Sequence, residues 1–123
     1  MKKTIQVHEF DPVIYPRKIW ITTSKNSYFE GFEELPVMDK SEDACVCLAK
    51  NTARNLGGIF IRFDGRKSMT TSNIAHESVH AALEIFDYVN ARIEAENQEP
   101  FAYLVGFIAD CCEQVKKNRI KDL

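Results

Sequence analysis

Apolar residues in the second half of the chain recur with a helical period. Ile74, Val79, Leu83, Phe86, Val89 and Ile93 fall at intervals of three to five, which fits 3.6 residues per turn rather than the two of a strand. Thr71 or Ser72 can cap the start of this helix, because a hydroxyl accepts from the free amides of the first turn. A polar, acidic stretch from Ala91 to Gln98 ends the pattern. A second helix is predicted from about Pro100 to Lys117. Its apolar face is Phe101, Leu104, Val105, Ile108, Cys112 and Val115, and Pro100 suits a first turn, where no amide partner is lost.

The first half reads mainly as strands. Thr4 to Glu9 alternates, Asp11 to Pro16 is a proline-punctuated linker, and Lys18 to Thr23 carries Ile19, Trp20 and Ile21 as a second strand. Ser24 to Ser27 has turn composition, so Tyr28 to Glu33 is predicted to return as the other arm of a hairpin. Ser41 to Leu56 supports two periods: Cys45, Cys47 and Ala49 alternate, while Cys45, Leu48, Ala49, Thr52 and Leu56 fit a helix. Ser41 as a cap, Glu42 and Asp43 in the first turn and Gly57-Gly58 as a stop favour the helix. Ile59 to Phe63 is then a strand closed by Asp64-Gly65. The sum is an α+β fold: a small N-terminal mixed or antiparallel sheet packed on two helices, as one domain over residues 1–123.

Composition narrows the partners. With 123 residues, 45% hydrophobic and 28% charged, the chain has the make-up of an ordinary soluble domain. A formal net charge of −2, with Lys116-Lys117-Asn118-Arg119 as the only basic cluster, argues against nucleic acid; those cations suit a helix C-terminus. No apolar run approaches a membrane span, and the stretch after Met1-Lys2-Lys3 is too polar for a signal peptide. The expected compartment is cytoplasmic, where Cys45, Cys47, Cys111 and Cys112 are reduced packing thiols. Their C-x-C and C-C spacings do not match paired zinc-binding C-x-x-C.

The chemistry concentrates in the first helix. Two of the three histidines, His76 and His80, are four residues apart in His76-Glu77-Ser78-Val79-His80. Residues four apart on a helix lie one above the other, so both imidazoles address one point, within the reach of a single zinc ion. Glu77 projects roughly 100° round the helix, where it can take a proton from a water held by that metal. Glu99 follows 19 residues after His80 in Glu99-Pro100-Phe101-Ala102, a distance that lets one helix end and another return across it. Two histidines and a glutamate leave the fourth tetrahedral position to water, as in catalytic zinc sites. His8, on a strand and far from the motif, reads as a surface or hydrogen-bonded histidine.

From Asn73 to Phe107, His76-Glu77-Ser78-Val79-His80 followed by Glu99-Pro100-Phe101-Ala102 resembles the signature of the gluzincin metallopeptidases, the group that includes thermolysin. Leu83 and Phe86 stand where the metzincin pattern has its glycine and third histidine, which excludes that group. The resemblance implies a zincin-like layout with an active-site helix and a glutamate helix. It implies Zn²⁺ on His76, His80 and Glu99, Glu77 as general base, and a peptide or protein substrate paired with an edge strand. Pro100 pushes Glu99 towards the helix start. Tyr103 stands where thermolysin-like enzymes carry a carboxylate supporting a histidine ligand; Asp87 and Asp110 are alternatives on suitable faces. Tyr88 and Tyr103 are the candidate oxyanion donors. The chain's economy resembles the compact members of the group, among them small phage- and prophage-encoded proteins. A zinc-binding interaction module without turnover, and a metal-free interaction protein, are the competing expectations; the oligomeric state stays open.

Overall fold

A computed structural model describes residues 6–117. It is an α+β protein: a four-stranded mixed sheet with two helices packed on one face. The strands are β1 (His8–Phe10), β2 (Lys18–Thr22), β3 (Ala44–Asn51) and β4 (Leu56–Phe63), and the helices α1 (Thr71–Tyr88) and α2 (Glu99–Lys116). The sheet order is β1-β2-β4-β3, with β2 and β4 parallel and the two outer strands antiparallel to their neighbours. Thr4 and Ile5 of the predicted first strand, Met1-Lys2-Lys3, and Asn118 and Arg119 of the basic cluster lie outside the described residues.

The two central strands are apolar on both faces, as a covered parallel pair must be. Ile19, Ile21, Ile59, Ile61 and Phe63 face the helices and join Ile74, Ala81, Ala82, Ile85, Leu104, Ile108 and Cys112 in the main core. Trp20 and Phe60 point the other way, where the loop after β2 covers them with Phe29 and Leu35. Each large side chain so buried contributes about 1.5–3 kcal/mol. Arg62 also points to that second face and is buried. Its guanidinium donates to the carbonyls of Asn26 at 2.9 Å and Pro36 at 2.5 Å, and so fastens the covering loop to the sheet.

Residues 41–56 are not a helix: Ala44–Asn51 is the edge strand β3. Of the two periods available there, alternation prevails, because Val46 packs against the helix-side core and Cys47 and Ala49 against the other. The Gly57-Gly58 pair is no helix stop either. A Cβ on Gly58 would lie 2.2 Å from the Lys18 carbonyl oxygen and 2.7 Å from the Trp20 ring, so glycine there permits β2 and β4 to close. The predicted hairpin is also absent. Tyr28–Glu33 is irregular and touches the sheet through an isolated bridge between Phe32 and Asn51.

Both helices form where the periodicity places them. Thr70, one residue before the expected caps, accepts from the Asn73 amide at 3.1 Å. α1 stops at Tyr88, short of Ile93, because Asn90 adopts φ 57° and the Ala91 amide returns to the Phe86 carbonyl at 2.9 Å, a Schellman closure. Among the described residues, no helix is long and apolar enough to cross a membrane.

Candidate metal centre

α1 divides its residues between two opposite sides. Ile74, Glu77, Ser78, Ala81, Ala82, Ile85 and Phe86 are buried, while His76 and His80 are exposed and lie roughly 180° round the helix from the middle of that stripe. The two rings stand at 70° with centroids 4.7 Å apart, and their Nε2 atoms approach to 3.1 Å. Two zinc–nitrogen bonds of about 2.0–2.1 Å at a tetrahedral angle separate their nitrogens by roughly 3.3 Å. The observed separation is thus close to that of two nitrogen ligands of one ion. The same distance suits a hydrogen bond between neutral imidazoles.

Glu77 sits on the flank of the stripe, only 7% exposed. Burial pushes its carboxyl above the usual carboxylate range, and Glu42, just before β3, adds to this. The nearby His76 and His80 oppose the shift. A desolvated carboxylate beside two imidazoles is a better proton acceptor than an exposed one, because water no longer stabilises its charge.

Glu99 is not brought to the pair. It is exposed at the first position of α2, where Phe101 meets Phe86 edge to face with centroids 5.3 Å apart. Phe86 is six residues beyond His80, about 9 Å along the helix axis at 1.5 Å per residue. Among the described residues, no group of three or more His, Cys, Asp or Glu side chains is arranged to hold a metal ion. Pro100 explains the aim of Glu99: proline in the first turn fixes the helix start there, and α2 then runs back along α1 with Glu99 at the far end.

The remaining candidates also lie away from the histidines. Tyr88 ends α1 beneath the Arg17 guanidinium, 4.0 Å from its ring centre. Tyr103, 75% exposed, lines a groove with Pro12, Ile14, Tyr15 and Phe107 on the side of α2 away from α1. Asp87 and Asp110 are exposed. His8 belongs to β1, at the sheet edge opposite β3. Cys111 and Cys112 are buried under α2 as packing thiols, and desolvation pushes both up to about 12. The Ser78 hydroxyl faces Cys112 and tempers that shift, yet the contact is too loose for a well-formed hydrogen bond.

No family model, curated protein or solved structure matches this chain.

Proposed function

We propose that this protein is a zinc-dependent peptidase of zincin-like layout, in which His76 and His80 hold the metal and Glu77 is the general base. The observation that carries the reading is the 3.1 Å approach of the two Nε2 atoms on a solvent-facing helix, with a buried carboxylate on the next residue. A divalent ion bound there would supply Lewis acidity, polarising a carbonyl and making water easier to deprotonate.

The chain's own residues do the rest. His76 and His80 are exposed with their Nε2 atoms 3.1 Å apart, so an ion from solvent can reach both nitrogens in exchange for the contact between the rings. Glu77 accepts a proton from the attacking water on its carboxylate and returns it to the leaving amine. Edge strand β3 supports a peptide as substrate. Among the described residues its outer side is paired only near its end, where Phe32 bridges Asn51 and the Glu33 amide donates to the Lys50 carbonyl. The open main-chain groups from Ala44 to Ala49 suit an added strand.

The placement of Tyr88 and Tyr103 away from the histidines favours a second reading, a zinc-binding interaction module without turnover. Metal analysis of the purified protein, followed by a peptide-library cleavage assay on wild type and Glu77→Gln, decides between them. Zinc with cleavage that vanishes in the variant supports the peptidase; zinc without cleavage supports the module; no zinc removes both.

A further inference from the structure

Arg17, the residue before β2, is half-buried and has no anionic partner among the described residues. Three ion pairs are present among them, Lys18–Asp11, Arg54–Glu9 and Lys117–Glu113, and Arg17 belongs to none. Its Nε is buried with no hydrogen-bond partner. The guanidinium of Arg62, by contrast, donates to the Asn26 and Pro36 carbonyls. The Arg17 side chain is nevertheless held in place. Its guanidinium carbon stands 4.0 Å from the centre of the Tyr88 ring, a cation–π contact. A Cβ on Gly57 would lie 2.4 Å from Arg17 Nη1, so the guanidinium occupies the place of a side chain at position 57.

Two clefts adjoin at this group and share Arg17, Asn55, Leu56 and Gly57. The first, of about 390 Å³, opens over the end of β3 at Leu48, Ala49 and Lys50. It is cationic and apolar together, since Arg17 and Lys50 lie along it with Leu48, which is 56% exposed. The acid that lines it, Glu33, is exposed and pairs with neither cation. In the second cleft Asp11 and Lys18 neutralise each other in their 3.0 Å pair. A guanidinium already stacked and seated has lost the freedom of its arm, and so binds an anion at a smaller entropic cost. Its planar fork matches a carboxylate through two parallel hydrogen bonds.

We infer that Arg17 anchors a binding site for a carboxylate whose apolar body lies on Leu48 and Leu56. Glu33 on the same cleft selects a monoanion over phosphate, because its repulsion grows with the charge of the ligand. The shared chemistry is that of a peptide's C-terminal carboxylate beside a branched side chain and of a free branched-chain acid. The site does not rest on the histidine pair. Tyr88, on which Arg17 stacks, is eight residues beyond His80, about 12 Å along α1.

The test is a titration of the full chain followed by NMR, reading the Arg17 Nε–H resonance and the methyl groups of Leu48 and Leu56. N-acetyl-leucine is expected to shift these signals saturably, with a Kd on the order of 1 mM for a ligand of that size. N-acetyl-leucinamide, the same body without the charge, should leave them in place. Arg17→Lys keeps a cation but loses the fork, and should bind N-acetyl-leucine more than tenfold more weakly. Gly57→Ala puts a methyl group where the guanidinium lies and should weaken binding similarly with Arg17 still present. Isocaproate, which lacks the amide, distinguishes the sources: tighter binding of N-acetyl-leucine supports a peptide end, and equal binding a free acid. No saturable shift, equal binding of acid and amide, or full affinity in both variants overturns the assignment. So does inorganic phosphate binding more tightly than N-acetyl-leucine. Far-UV circular dichroism checks the fold of each variant; should Arg17→Lys not fold, Gly57→Ala and the comparison of acid with amide give the same decision.

Discussion

Phe86 and Phe101 meet edge to face, 5.3 Å between ring centres, and this contact holds the head of α2 against the tail of α1. Glu99, two residues ahead of Phe101, is thereby kept at the end of the helix pair remote from His76. Glu99→Ala is expected to leave zinc affinity unchanged. It should cost only about 0.3–1 kcal/mol of stability, the worth of a negative charge at a helix start. Chelator competition and a urea titration read the two quantities, and a large loss of affinity would return Glu99 to the ligand set.

For Glu77 the expectation separates chemistry from structure. Glu77→Gln preserves size and removes a charge that burial already disfavours. Metal content should be unchanged and the melting temperature equal or higher. Hydrolysis of a cleaved peptide should fall roughly 10²–10⁴-fold, the worth of a positioned base. Zinc lost from this variant would make Glu77 a ligand instead.

Removing either histidine should hardly disturb folding. Both are exposed on the outer side of α1, so His76→Ala and His80→Ala are expected within about 0.5 kcal/mol of wild type without metal. Saturating zinc should then separate them. At a hundredfold excess over Kd the wild type gains about 2.7 kcal/mol by mass action, and the variants gain nothing. Equal thermal shifts in all three proteins would mean that zinc binds elsewhere.

Gly58 is the tightest point of the sheet. Gly58→Ala forces a methyl group against the Lys18 carbonyl and the Trp20 ring, and overpacking of this kind costs about 1–3 kcal/mol. A lower urea midpoint with an unchanged slope is the expected result. Wild-type stability would mean that β2 and β4 can part without penalty.

The buried thiols make stability depend on alkaline pH. Cys111 and Cys112 are held up to about 12 in the folded protein, against about 8.5 for a free thiol. A pKa raised by folding gives a contribution that is complete below the unfolded value and is lost as pH rises towards the folded one. Stability should therefore decline from about pH 8.5 upward, by up to about 1.4 kcal/mol per pH unit for each thiol. Urea midpoints from pH 7 to 10 under reducing conditions measure the decline. The Cys111→Ala, Cys112→Ala double variant should show a shallower slope, and an identical slope would assign the effect to other groups.

Which of these features the chain declares in advance follows from how local each one is. The two helices, β2 and β4 are written in their own apolar periods, and His76, Glu77 and His80 need only the geometry of one helix. Residues 44–51 are different. Cys45, Cys47 and Ala49 sit on one face while Leu48 and Lys50 stay outside, a pattern weak enough that Ser41 and the two glycines outweigh it. What decides the segment is β4, which pairs with it along its whole length, and that partner is not local. Arg62 is a charged residue inside a buried strand, and its partners Asn26 and Pro36 lie across the covering loop.

The outward pole of α1 carries the histidines, and the inward pole carries most of what the core needs. In the proposed function, affinity for metal and resistance to unfolding are thus assigned to largely separate letters of the same eighteen-residue helix. A chemist wishing to retune the proposed metal site, by exchanging His80 for Cys or Asp, works on ground the core does not occupy. Glu77 and Ser78 are the exceptions, because they belong to the buried side. At those two positions a change of chemistry is also a change of foundation.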